Sequence, residues 1–172
     1  MKRISIFLFF SILTATICSA KTIKLTSSLL IQATSITYYC SNGSVSPKYQ
    51  YYCCVVVTET SVRLKVYQAG KVTYDETASI SSIEYIKFIN HLVQQQIYYN
   101  VKDYNHFIPL CGSGTNSITV RTDDSIIFKG DTCEVLKVDN GNLCDAFVQI
   151  MPRYMVQWYK NSKVQEFKKS NL

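Results

Sequence analysis

Residues 54–97 read CVVVTETSVRLKVYQAGKVTYDETASISSIEYIKFINHLVQQQI, and their spacing decides the fold class. Cys54 to Val57 is a short apolar run of the kind a buried strand presents. Val62, Leu64 and Val66 then alternate with Arg63, Lys65 and Tyr67, the period of two that gives a strand one dry face and one wet face. Gln68-Ala69-Gly70-Lys71 carries turn chemistry, and Val72-Thr73-Tyr74 begins a return strand. The pattern changes at Ser81. Ser81 followed by Glu84 makes a capping box, in which each side chain satisfies the other residue's backbone N–H. Ile83, Ile86, Ile89, Val93 and Ile97 follow at spacings of three and four, which predicts a helix burying that stripe.

Downstream the same plan recurs. Ser117 to Thr122 alternates apolar and polar residues, Asp123-Asp124 turns the chain, and Ser125 to Lys129 returns. Glu134 to Val138 reads as a further strand, and Asn140-Gly141 as a break. Asn142 with Asp145 caps a second helix carrying Leu143, Phe147, Ile150 and Met151, which Pro152 ends or kinks. Met155 and Trp158 continue an apolar spacing beyond it. The order β-β-α then β-β-(β)-α predicts an α+β domain: a mainly antiparallel sheet with about two helices on one face.

The N-terminal half divides by composition. Residues 1–20 read as a secretory signal: Lys2 and Arg3, an uncharged run from Ile4 to Ile17, then Cys18-Ser19-Ala20 before Lys21. The run is short of the roughly 20 residues that span a bilayer. Ile17 before Cys18 argues against lipidation, which wants a small residue there. Residues 21–37 read as a lead-in or edge strand, 38–160 as a single domain, and 161–172 as a basic tail. The expected product is secreted or periplasmic, with no membrane span after processing. The chain's net charge is +6; loss of the first twenty residues leaves 16 basic side chains against 12 acidic ones, or +4. The excess is too small to name a partner. Disorder is excluded, because 47% apolar residues and only 17% charged ones can bury a core.

Processing also removes Cys18 and leaves Cys40, Cys53, Cys54, Cys111, Cys133 and Cys144. An even set in an exported chain predicts a disulfide-stabilised fold. Cys53 and Cys54 point to opposite faces if they lie in a strand, so they should not bond to each other. The favoured pattern joins one of them to Cys40, the other to Cys111, and Cys133 to Cys144. No metal site is expected, since no C-x-x-C pair occurs and His91 and His106 lack zinc-like partners. No cofactor is expected either.

The sequence holds a minimal residue inventory for three chemistries. Cys111 lies in Pro109-Leu110-Cys111-Gly112-Ser113-Gly114, five residues after His106, the minimal inventory for a thiol nucleophile with an oxyanion-binding turn. His91 and His106 with Lys102 would suffice for a secreted ribonuclease, as general base, general acid and charge stabiliser. Asp123, Asp124 and Asp131 would supply carboxylates for glycoside hydrolysis, although Asp123-Asp124 is better explained as a turn. The stronger expectation is a non-enzymatic module that binds a protein or an envelope component. Its candidate contact residues are Tyr38, Tyr39, Tyr49, Tyr51 and Tyr52, since tyrosine gives large, rigid contact area. Asn42-Gly43-Ser44 is a glycosylation sequon if the host is a eukaryote. Nucleic acid is not an expected partner. Weak contact with an anionic membrane surface would use the segment Arg153 to Lys169, which holds Tyr154, Trp158 and Tyr159.

Overall fold

The structure, a computed structural model, describes residues 22–43, 46–100, 114–131 and 136–160. Its elements run β1 (Thr22–Lys24), α1 (Ser27–Ile31), β2 (Ser35–Ser41), β3 (Tyr51–Val57), β4 (Ser61–Gln68), β5 (Lys71–Ser79) and α2 (Ser82–Gln94). Then follow β6 (Ile97–Asn100), β7 (Thr115–Arg121), β8 (Ile126–Asp131), β9 (Lys137–Val138), α3 (Cys144–Ile150) and a helix α4 over residues 153–160. The chain is α+β with two antiparallel sheets. Among the described residues, one has six strands in the order β5-β4-β3-β2-β7-β8 and the other three in the order β1-β6-β9.

Strand β2 joins the two halves of the chain. It pairs with β3 on one side and β7 on the other, so Tyr38 lies between Val55 and Ile118. Alternation along these strands sends Ile36, Tyr38, Val55, Leu64, Ile118 and Val120 to one dry face. Each fully buried side chain of this size is worth roughly 1.5–3 kcal/mol. The helices close that face through aromatic contacts. Tyr38 stacks on Phe147 of α3 at 5.1 Å, and Phe88 of α2 meets Phe147 edge-on at 5.1 Å. Trp158 of α4 stacks on Tyr74 of β5 at 4.9 Å.

Two hairpin turns share one chemistry. Thr58 N–H donates to the Ser61 carbonyl at 2.9 Å and Ser61 N–H donates to Thr58 Oγ1 at 3.1 Å. Thr122 and Ser125 repeat both bonds at 2.9 and 3.2 Å. The Thr-x-x-Ser spacing at 58–61 and 122–125 is thus a residue-level likeness between the two hairpins. Between β4 and β5 the chain turns on Ala69 and Gly70, with φ of 48° and 75°, the left-handed pair a two-residue hairpin requires. Edge strand β5 carries Lys71, Asp75 and Glu76 in exposed positions, charges that discourage further strand pairing.

Helix α2 starts where the capping box places it. Ser81 N–H donates to Glu84 Oε2 at 2.7 Å and Glu84 N–H donates to Ser81 Oγ at 3.3 Å. The bonds that Ser81 N–H and Ser81 Oγ each donate to Glu84 Oε2 hold the Glu84 carboxyl below its ordinary range. The buried stripe differs from the expected one. Phe88, Ile89 and Leu92 face the core, whereas Ile83 and Ile86 are 67% and 57% exposed. This helix is apolar around much of its girth, and the larger ring of Phe88 packs between Tyr85 and Phe147 of α3. Ile97 is not helical: Gln96, at φ of 51°, turns the chain and Ile97 enters β6. Pro152 separates α3 from α4, and its carbonyl accepts from Val156 N–H at 3.1 Å.

The expected link from Cys40 to Cys53 or Cys54 is not made, since no two of the described cysteines stand at disulfide distance. Cys40 and Cys53 do face each other across β2 and β3 in the core. The bond from Asn42 N–H to the Tyr51 carbonyl, two residues along each strand, makes theirs a hydrogen-bonded rung. Opposed side chains stand further apart there than on the alternate rungs. Cys54 points to the other face and pairs in register with Tyr39, so Cys53 and Cys54 do part company as the strand geometry requires. Cys111 and Cys133 lie outside the described residues, and with them the expected bonds to Cys111 and from Cys133 to Cys144.

Candidate functional site

The five tyrosines at 38, 39, 49, 51 and 52 part into three environments. Tyr38 is 1% exposed and Tyr51 5% exposed, so neither ring is open to a ligand. Tyr38 donates to Asn116 Oδ1 at 2.6 Å and lies 3.4 Å from the Tyr159 hydroxyl. Burial pushes both phenols well above the ordinary tyrosine range, with the nearby thiols adding to the shift. Tyr49 sits on the turn Pro47–Tyr49 and is 47% exposed, with Lys48 Nζ 4.7 Å from its ring centre. Tyr39 and Tyr52 lie on the sheet face turned away from the helices.

That outer face carries the candidate site. Tyr52 opposes Tyr67 across β3 and β4, and their rings stack at 4.1 Å. Tyr39, diagonal on β2, approaches Tyr52 at 5.7 Å. Three tyrosines from three adjacent strands therefore touch in one ladder. Its spacing in the sequence marks Tyr67 only as a wet-face residue of β4. The alternation that placed it there fixes a side chain's face, but not its neighbour on the next strand. Such pairs need the register, which β2, β3 and β4 settle together.

Cations flank the ladder. Arg63 holds Asp75 with a two-pronged contact, Nε to Oδ1 at 2.7 Å and Nη2 to Oδ2 at 2.8 Å. Lys65 Nζ lies 3.6 Å from Asp75 Oδ2 and 5.1 Å from the centre of the Tyr67 ring. The Arg63 bond keeps the Asp75 carboxyl below its ordinary range and raises Arg63 in turn. Contact with Tyr67 is the main cause that raises Lys65. Burial lifts the Tyr39 phenol and the Cys54 thiol, the thiol against the opposing pull of Arg63 and Lys65. Small side chains fill the rest: Thr37, Val56, Ser117 and Thr119 lie half-buried between the ladder and Lys129.

The other candidate residues stand apart from this face. His91 Nδ1 is 2.7 Å from Gln149 Oε1 and ties α2 to α3. His106, Cys111 and Lys102 lie outside the described residues. Asn42 clamps the connection from β2 to β3: its Nδ2 donates to the Tyr49 carbonyl at 2.8 Å, and its Oδ1 accepts from Tyr51 N–H at 2.9 Å. Ser44 of the sequon is outside the described residues. Asp123 and Asp124 occupy the β7–β8 turn. At the C-terminal helix, Tyr159 is buried, while Tyr154 and Trp158 are half-exposed. Among the described residues no cluster of three or more His, Cys, Asp and Glu is placed to hold a metal ion. No helix of the described residues is long and apolar enough to cross a membrane.

Comparison with protein-family models and with curated proteins finds no match to this chain.

Proposed function

We propose that this chain is an exported, non-enzymatic binding module whose contact surface is the outer sheet face around Tyr39, Tyr52 and Tyr67. The ladder is the observation that carries the reading. Three tyrosines in mutual contact sit on the outer face, while α2, α3 and α4 engage the opposite side through Phe88, Phe147 and Trp158. Aromatic area of this kind, already immobilised by its neighbours, binds at small cost in side-chain entropy. Arg63 and Lys65 at its margin add direction and charge.

Export is supported by the basic pair Lys2-Arg3, the uncharged run Ile4 to Ile17 and the small residues before Lys21. Disulfide bonding, with Cys111 and Cys133 among the partners, belongs to the same proposal. Intact mass of the secreted product with and without reductant reads both: a start at Lys21 and paired thiols support it, and a retained N-terminus with all seven thiols reactive rejects it.

The binding reading is tested with the triple variant Tyr39→Ser, Tyr52→Ser and Tyr67→Ser on polypeptide and glycan arrays. Ligands held by the wild type and lost by a triple variant of unchanged circular dichroism support the surface. Ligands held equally by both would refute it. RNA cleavage that disappears in a folded His91→Ala variant would establish a hydrolase instead.

A further inference from the structure

We infer that the partner on the outer sheet face is an acidic protein surface, an inference that rests on the binding reading above and adds the partner's chemistry. Charge is the first reason. The face presents Arg63 and Lys65 on β4, Arg121 at the end of β7 and Lys129 on β8, against Asp75 and Asp131. Asp75 is held by Arg63, which takes one charge of each sign out of the count and leaves Lys65, Arg121 and Lys129 against Asp131. What remains is an excess of cations and hydrogen-bond donors: guanidinium, ammonium, phenol and threonine hydroxyls. An opposing surface rich in carboxylates complements it.

The packing of the rings is the second reason. Tyr52 stands between Tyr39 at 5.7 Å and Tyr67 at 4.1 Å. With a neighbour on each side, its ring is not offered as a platform on which a nucleobase or sugar ring would stack. The ladder presents ring edges and hydroxyls instead. Tyrosine and arginine around a small apolar centre, here Val56 and Cys54, is the composition of protein–protein contact patches.

Size is the third. Six strands about 4.8 Å apart, six to nine residues long at about 3.3 Å per residue, give a face of roughly 600–700 Å². A standard protein interface covers about 800 Å² per partner, so the face can supply most of one side.

The experiment uses the full exported chain, immobilised, against a random glutamate–tyrosine copolymer, poly-L-lysine, a sulfated glycan and single-stranded oligothymidylate. The acidic copolymer is expected to bind, and to weaken at least tenfold between 50 and 300 mM salt. Lys65→Glu and Tyr52→Ser should each weaken it about tenfold. Lys87→Glu, the same charge change on an exposed position of α2, should not. Failure of the copolymer to bind overturns the inference. Binding of poly-L-lysine in its place, lost on Tyr52→Ser, overturns the acidic partner but leaves the contact face standing. Equal binding of all three polyanions, insensitive to Tyr52→Ser, means nonspecific attraction and overturns both. Stronger, Tyr52-dependent binding of the glycan or the oligonucleotide overturns the protein partner in favour of that polymer.

Discussion

Removing one oxygen from Tyr38 tests the division between core and surface tyrosines. In Tyr38→Phe the ring stays stacked on Phe147, so almost no apolar contact is lost. The substitution deletes the 2.6 Å bond to Asn116 Oδ1 and the 3.4 Å approach to Tyr159. A buried bond is worth about 0.5–1.5 kcal/mol net, and partners left short of a donor raise the cost toward 1–3 kcal/mol. We therefore expect a loss of about 1–2 kcal/mol. The chain's one tryptophan, Trp158, is stacked on Tyr74 and reports unfolding by its fluorescence. At an m-value of about 2 kcal/mol/M, the urea midpoint should fall by roughly 0.5–1 M. Tyr52→Phe removes the same oxygen from the outer face and should move stability by less than about 0.5 kcal/mol. Tyr38→Ala should cost about 3–5 kcal/mol, since it opens a ring-sized cavity beneath α3. Equal midpoints for Tyr38→Phe and Tyr52→Phe would refute the argument, because the two phenols would then share one environment.

Three further outcomes follow from the geometry. Burial raises the Tyr38 and Tyr159 phenols, and burial with the bond to Glu76 pushes Tyr74 up to about 12. Below pH 10 these groups hold their protons in both states; above it the unfolded chain's phenols, near 10, release theirs first and gain stability. Stability should therefore fall between pH 10 and 11, by up to about 1.4 kcal/mol per pH unit per phenol, and less steeply in Tyr38→Phe; identical slopes in urea titrations would contradict it. Ala69→Asn should stabilise the protein by about 0.5–1 kcal/mol, since Asn tolerates the left-handed position that Ala69 occupies at φ 48°; a lower melting temperature would place the turn in another class. Gly130→Ala should cost about 1–3 kcal/mol, because the new methyl runs into the side chain of Leu136, which is 6% exposed; an unchanged midpoint would mean that β8 and Leu136 do not pack together.

Local chemistry alone determined a good part of this fold. The strand at Val62, Leu64 and Val66, the turn at Gln68 to Lys71, the helix start at Ser81 and the break at Pro152 all follow from neighbours within four residues, and the structure has each of them. Helix α3 likewise begins near Asn142, whose N–H donates to Asp145 Oδ2 at 3.0 Å. The opposite faces of Cys53 and Cys54 were also legible, because a strand alternates whatever it packs against.

Tertiary packing decided what a one-dimensional pattern leaves degenerate. Helix α2 offers two apolar stripes, and the one that meets Phe147 is buried. Tyr38, Tyr39, Tyr51 and Tyr52 share one composition and one neighbourhood in the sequence, yet the pleat buries the first and third and turns the other two outward. The third member of the ladder, Tyr67, lies fifteen residues beyond Tyr52 and joins it only because the register of β3 with β4 sets them opposite each other. Alternation within a strand is fixed by bond geometry; the partner across the gap is fixed by which strands meet and in what register, and that is a property of the whole fold.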